Sequence, residues 1–505
     1  MGLFVSLTLA ALALFITQIY LRRIQKRYAL SKASAKHGCA PPKTLPSRDP
    51  FFGLDTFFAT FKSMKNHCRM RTTQADAQKY GHTYQSFPFA RRTITITSAR
   101  NIQTVLSLEH EKFGVRPIRG PAQDMTGPGI IVNDGKVWEH ARAMIRPAFT
   151  RTLIADRETF DVHVERLFEL LPTDGSVIDL QPLFDRLILD SSSEFIFGES
   201  FGSLLPSCPI DSQAFLDAFN YAQKGVGIRV LLGKARFLVR DAKFFQSCKL
   251  IQDYTRRHVD RALERKEGRQ DKSEGDNSSS ERKVVLVYEL AKETSDRSML
   301  TSQLLNVFFA GRDTPAVALT NIFFLLARHP DVWTKCREEV RGLQKEALTF
   351  EKLKSLRYIQ HVINEAMRVY PPVASQTREC TADTILPSGG GHDGSQPIYV
   401  QSGDVVVINF WTLHRDASVF GPDPEAFRPE RWAEARPTWE FLPFGGGARH
   451  CPAQQLALFW IAYTLARMLL KFEQIRNEDP VEEFVEQMKL NMESWNGAKV
   501  SFVVG

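Results

Sequence analysis

The stretch FGGGARHCPAQQ, residues 444–455, sets one cysteine between three glycines and a proline. Three chemistries suit Cys451. It fits a buried small hydrophobe. It fits a nucleophile beside His450, although adjacent residues on a chain rarely face each other. It also fits an axial thiolate on a haem iron, and that third chemistry asks the most of its surroundings. The backbone must approach a macrocycle closely, which glycine allows. N–H groups must point at the sulfur. A helix starting just after the cysteine must favour the negative sulfur through its dipole. A cation must meet the cofactor's carboxylates, and Arg449 stands two residues upstream. All four features occur in this one stretch.

The rest of the chain must position such a loop. Its 505 residues, 43% hydrophobic and 24% charged, suffice for a large folded core. The net charge of +8 is spread out, without a basic block carrying interleaved aromatics, so nucleic acid is not an expected partner. Seven scattered cysteines without a C-x-x-C pair argue against a zinc knuckle or a disulfide scaffold and fit a reducing compartment.

The N-terminus differs in kind. Residues 3–21, LFVSLTLAALALFITQIYL, carry no charge and match the length needed to cross about 30 Å of hydrocarbon. The basic run RRIQKR follows at once, which places the body on the cytosolic side. A cleaved signal peptide would begin with a basic segment, absent here. The expectation is a transmembrane anchor over 1–21, a basic and Pro/Gly-rich linker over 22–53, and a catalytic domain over 54–505. No second apolar run of that length follows, so the protein is expected to be single-pass.

Within the body, residues 84–98 alternate and are β-branched, predicting short strands. Residues 102–356 are mostly of helical period. Residues 264–283 are charged and Ser/Gly-rich, predicting a mobile loop, and the NSS pattern at 277–279 should go unused on the cytosolic side. Strands return near 398–410, and a helix follows Cys451. GGGHDG at 389–394 spells a dinucleotide fingerprint but lacks the flanking strand and helix, and reads as a turn between strands.

FGGGARHCPA resembles the haem-binding signature of cytochrome P-450 monooxygenases, F-x-x-G-x-R-x-C-x-G, with Phe444, Gly447, Arg449 and Cys451 matching and Ala453 departing from the final glycine. Further motifs follow the family's order. NEAMR supplies Glu365 and Arg368, three apart and so on one helix face. By resemblance they form a buried structural network with Arg431 of FRPERW. Trp138 and Arg142 of WEHAR, and Arg378 of SQTREC, resemble the family's haem-propionate partners. NVFFAGRDTPA resembles the oxygen-activating segment of the long distal helix, which implies small Ala310 and Gly311 above the iron and catalytic roles for Asp313 and Thr314 in proton delivery. Pro315 stands where the family usually has Thr or Ser. It should kink the helix and leave the Gly311 carbonyl free.

The resemblance implies a mainly α fold with small β-sheets, the cytochrome P-450 fold, with haem b between the distal helix and the proximal cysteine loop and Cys451 as axial ligand. It also implies an endoplasmic-reticulum location with a cytosolic catalytic domain. Stretches such as HGCAPP and LPSGGGHDGSQPIYVQSGD resemble the fungal alkane- and fatty-acid-hydroxylating branch. That branch is fed by a membrane-bound reductase. No flavin domain is present in the chain, so NADPH–cytochrome P-450 reductase is the expected separate partner. Pocket candidates from matched positions are Phe308, Phe309, Ala310, Val373, Ala374 and Trp495. An apolar pocket suits a long-chain alkane or fatty acid, and equally a polyketide or terpenoid of secondary metabolism. An alternative of another class is a haem carrier or sensor without turnover.

Overall fold

The computed structural model describes residues 2–49, 52–149, 157–270 and 285–504. Helices dominate, and the sheets are small, with one of six strands, one of three and two hairpins among the described residues. The main core is helical. Leu300, Leu304, Leu305, Phe308, Leu319 and Phe323 of the central helix segments are fully enclosed, as are Ile359 and Ile363 of the Arg357–Val369 helix and Leu465, Met468 and Leu469 of the Gln454–Lys471 helix. A second, smaller core lies under the six-stranded sheet around Ile94, Ile96, Val406 and Ile408.

The β-branched stretch forms the antiparallel strands Thr83–Ser86 and Thr93–Ile96. The strand Thr93–Ile96 then pairs in parallel with Val405–Asn409, and that strand pairs with Ser375–Cys380, which carries Arg378. The GGGHDG stretch closes the hairpin between Thr384–Gly390 and Gln396–Val400. Gly389 has a φ of 105°, and a side chain there would overlap Thr83. The glycines therefore serve strand packing and not a phosphate.

The helix after Cys451 ends at Lys471, because the FEQI that continues its apolar run turns into the strand Phe472–Asn477. The stretch read as linker carries the strand Lys43–Thr44, which joins the six-stranded sheet beside Tyr84 and Gln85. Residues 264–270, expected in a loop, continue the Ala242–Gln270 helix. Two cations hold that last part: Lys266 Nζ donates to the Ala291 carbonyl at 2.7 Å and the Arg265 guanidinium lies over the Tyr288 ring. Most of the remainder of that expected loop, with its NSS pattern, lies outside the described residues.

At the N-terminus, Gly2–Lys36 is one helix. His37, just beyond it, stacks on Tyr399 at 5.3 Å. Among the described residues no helix is long and apolar enough to cross a membrane. Most side chains of 3–19, where the anchor is expected, lie outside the described residues.

Candidate active site

The cysteine loop is shaped by its glycines. Gly445 and Gly447 have φ of 72° and 66°, values open to glycine at little cost. A Cβ on Gly447 would overlap the backbone carbonyl of Leu106, so the loop lies directly against that turn. The Cys451 amide donates to the Phe444 carbonyl at 3.0 Å and closes the loop. Burial raises the Cys451 thiol above its ordinary pKa, opposed by a hydrogen bond from the Ala453 amide and by the Arg142 charge. Both opposing contacts favour a thiolate. Pro452 contributes no N–H, so the nearby donor to sulfur is the amide of Ala453.

Around this loop the cations outnumber the acids. Arg449 Nη2 donates to the Asn133 carbonyl at 2.8 Å and to Asp134 Oδ1 at 2.6 Å. Its guanidinium lies 4.3 Å from the Trp138 ring centre, and that of Arg142 5.9 Å. Trp138 thus has two guanidinium groups within cation–π reach. Arg142 Nη1 donates to the His450 carbonyl at 2.9 Å, which ties the Gly135–Ile145 helix to the cysteine loop. Arg378 is 4% exposed and donates to the Thr377 carbonyl and Gln376 Oε1, with no carboxylate hydrogen-bonded to it among the described residues. Burial, then Arg119 and Arg449, push its pKa down to about 9, with Asp134 opposing. Arg449 is lowered to about 10, chiefly by burial. Burial also lowers Arg119, with Asp134 again the opposing acid.

Arg119 and Asp134 were not singled out from the sequence. Asp134 is the hub of this region: its carboxylate also accepts from the backbone amides of Val115 and Arg116. The available signal was the NDG preceding the helix of Trp138, which reads as a turn or cap and says nothing of arginines elsewhere in the chain.

Behind the loop, Glu365 and Arg368 form a two-point ion pair at 2.9 Å with neither side chain exposed. Arg431 Nε donates to Glu365 Oε1 at 2.8 Å, Trp432 Nε1 to Oε2 at 2.9 Å and the Arg428 amide to Oε1 at 2.9 Å. Arg368 also donates to the carbonyls of His414, Pro424 and Ala426. A buried ion pair is tolerable when its remaining donors and acceptors are satisfied in this way.

On the other side, the central helix is broken. One segment is Arg297–Gly311 and the next Thr314–Arg328. Thr314 Oγ1 donates to the Ala310 carbonyl at 3.0 Å. The Gly311 carbonyl, which the missing amide of Pro315 was expected to leave free, instead accepts from Ser192 Oγ at 3.4 Å. The neighbouring helix Gln181–Phe197 therefore supplies what proline removes. Ala310 is exposed and a Cβ on Gly311 would meet nothing within 4 Å, so the helix presents open space there. Asn306, one turn earlier, accepts from the Ile131 amide through Oδ1. The segment 131–134 thus bridges the central helix to Arg449 of the cysteine loop.

The pocket candidates divide. Ala310 faces the open space. Phe309 is 8% exposed. Phe308 is fully enclosed by the rings of Phe197, Phe201, Phe215 and Phe219 and belongs to the core. Ala374 is buried, and Val373 packs on the smaller core. Trp495 is 53% exposed and leans on His67 at 4.3 Å, on the outer side of the hairpin that precedes it. Matched positions put these residues forward but could not say which side chain meets a neighbour.

A thiol with an amide donor, a glycine cradle, surplus buried guanidinium and open space on a broken helix fit a dianionic iron macrocycle. The family model for cytochrome P450 matches residues 44–496. The chain belongs to the cytochrome P450 family. Cytochrome P450 monooxygenase himC of Aspergillus japonicus is 39% identical over 469 residues, spanning 92% of this chain and 83% of that protein. Cytochrome P450 monooxygenase FPY7 of Fusarium mangiferae is 36% identical over 496 residues, 97% and 95% of the two chains. Cytochrome P450 52A12 of Debaryomyces hansenii is 35% identical over 465 residues, 88% of each. As a cytochrome P450 the protein is a monooxygenase that binds haem b through a cysteine thiolate, supplied by Cys451. Such monooxygenases take electrons from a reductase partner and act on a small-molecule substrate.

Proposed function

We propose that the protein is a membrane-anchored cytochrome P450 that hydroxylates C–H bonds of a long-chain alkane or fatty acid, using electrons that NADPH–cytochrome P450 reductase delivers. The observation that carries the haem-dependent chemistry is the surplus of buried guanidinium around the Cys451 loop, with Asp134 the opposing acid at Arg119, Arg378 and Arg449 among the described residues. When bound, the haem supplies dioxygen activation and oxidation of the substrate C–H bond.

The residues then take these roles. Arg119, Arg378 and Arg449 hold the propionates, with Trp138 and Arg142 supporting them. The Glu365–Arg368–Arg431 network braces the proximal side. Ala310 and Gly311 leave room beside the reacting centre. Thr314 and Asp313 carry protons, the hydroxyl exchanging its bond to the Ala310 carbonyl for one toward the substrate side.

The anchor reading rests on the uncharged run 3–21 followed by RRIQKR. Exposed Phe58, Phe61 and Met64 on the Leu54–Lys65 helix, together with exposed Leu231, Phe237 and Leu238, support a body lying against a lipid surface of the endoplasmic reticulum. The alkane or fatty-acid reading rests on the branch-specific stretches of sequence and on the similarity to cytochrome P450 52A12.

The test combines three measurements. The reduced, carbon-monoxide-treated protein should show the red-shifted Soret band of thiolate ligation, and Cys451→Ser should abolish it. Dodecanoic acid and hexadecane should displace water from the iron, read as a spectral shift. With reductase and NADPH they should yield hydroxylated product. Product from a polyketide or terpenoid but from neither lipid would overturn the substrate class. A red-shifted band without any product would favour a carrier or sensor. Deleting residues 2–21 should release the protein from the membrane fraction.

A further inference from the structure

The residue between the small distal pair and the acid is Arg312, and its contacts reach in two directions. Nε donates to Asp313 Oδ1 at 2.8 Å. Nη2 donates to Asn220 Oδ1 at 2.9 Å, on the long helix Ile210–Leu232. The same guanidinium carbon lies 5.1 Å from the centre of the adjacent Phe219 ring. Nη1 is buried and finds no hydrogen-bond partner among the described residues. The arginine is held on two fixed supports, and the carboxylate of Asp313 hangs from the third.

This arrangement bears on proton delivery. Asp313 is hydrogen-bonded to Arg312, and Thr314 to the Ala310 carbonyl. The acid and the alcohol are each engaged elsewhere. To serve a relay, Asp313 must loosen from Arg312, and how readily it does so depends on where the guanidinium sits. That position is set by Asn220 and Phe219. Arginine suits the task because its planar fork presents separate donors to two acceptors at once, which the single ammonium of lysine does not reproduce. At the helix break Arg312 caps the first segment, its amide donating to the Phe308 carbonyl at 3.2 Å, and Asp313 opens the second, its carbonyl accepting from the Val317 amide at 3.0 Å, so the pair sits at the joint between the two.

We propose that Arg312 is a positioning residue which, through Asn220, makes the aim of Asp313 depend on the seating of the Ile210–Leu232 helix. Closure of that helix over a substrate would thereby be read out at the proton-donating acid. The inference rests on the proposed role of Asp313.

The experiment is a double-mutant cycle on the full-length, haem-loaded protein with reductase, NADPH and dodecanoic acid as probe. The readout is hydrogen peroxide released per NADPH oxidised, alongside the solvent deuterium isotope effect on NADPH oxidation. Asn220→Leu keeps the Arg312–Asp313 pair and removes its outer support. It should raise the peroxide share about fivefold, the size expected for residues coupled in one network, and change the isotope effect. In an Asp313→Asn background the same substitution should add nothing. Asn220→Gln, which keeps an acceptor, should restore most of the coupling. Equal increments in both backgrounds, or no change in either, would overturn the clamp. The carbon-monoxide spectrum of every variant separates the two readings: an intact red-shifted band with failed epistasis sinks the clamp alone. Epistasis cannot be explained by a merely structural Asn220, which would cost the same whichever residue stands at 313.

Discussion

The Arg449 guanidinium stands 4.3 Å from the Trp138 ring centre while reaching Asp134 at 2.6 Å. The ring fixes the cation without neutralising it, and the carboxylate neutralises only part of the charge gathered there. Positive charge is therefore in excess at the place where the haem propionates are proposed to bind.

Replacing Asp134 by Asn removes the acid that faces Arg119, Arg378 and Arg449. The haem-free protein should lose about 2 kcal/mol, since a partly buried pair is broken from one side. The haem-loaded protein should lose much less, because propionates then meet the same arginines. Urea unfolding of both forms checks this, and equal losses would count against it.

Arg378 offers the opposite trade. Burial and the neighbouring guanidinium groups of Arg119 and Arg449 push its pKa down to about 9 in the folded, haem-free protein. The folded protein therefore gives up this proton more readily than the unfolded chain, so the residue disfavours the fold below pH 9 and the penalty fades as pH rises above 9. Arg378→Met should stabilise the haem-free protein at pH 7 by about 1 kcal/mol and flatten its stability between pH 9 and 12. The same variant should lose haem faster to apomyoglobin.

Glu365 accepts from Arg368, Arg431, Trp432 and the Arg428 amide with no exposure to water. Glu365→Gln leaves two buried guanidinium groups without a counterion. The expected cost is about 4 kcal/mol, seen as a collapse in the yield of haem-loaded protein. Normal yield and an unchanged urea midpoint would mean that the carbonyls of His414, Pro424 and Ala426 suffice to hold Arg368.

Pro452 withholds one amide from the sulfur, leaving Ala453 as donor. Pro452→Leu should add a donor, draw charge from the thiolate and raise the iron reduction potential. Spectroelectrochemical titration reads the sign directly. An unchanged or lower potential would reduce the proline to a helix starter.

Pro315→Thr restores an amide that competes with Ser192 for the Gly311 carbonyl. Product formed per NADPH should change, while haem content stays level. The double variant with Ser192→Ala should differ little from Pro315→Thr alone, since the amide then satisfies the carbonyl.

Much of this site could be read from the chain because its chemistry imposes short spacings. Glu365 and Arg368 must share a helix face, and the loop from Phe444 to Cys451 must bring glycine, cation and sulfur to one cofactor. The strands at 83–96 and the helix after Cys451 announced themselves by period. Asp134 and Arg119 did not, because their partners lie in other elements and no spacing records them. Phe308 and Trp495 show a related limit. Helical period marks an apolar side, but only the packed structure shows that one ring faces four others and that the other leans outward on a histidine. The Ser192 bond to Gly311 was invisible for the same reason: it joins two helices across more than a hundred positions.

The contact between Arg142 and His450 spans 308 positions, and that between Arg449 and Asn133 spans 316. Gly447 lies against Leu106 in the same way. One wall of the proposed cofactor seat is thus made some three hundred residues before the other. A nascent or truncated chain that stops short of the cysteine loop has no closed seat to offer. Capture of the cofactor becomes a test of whether both walls have been made.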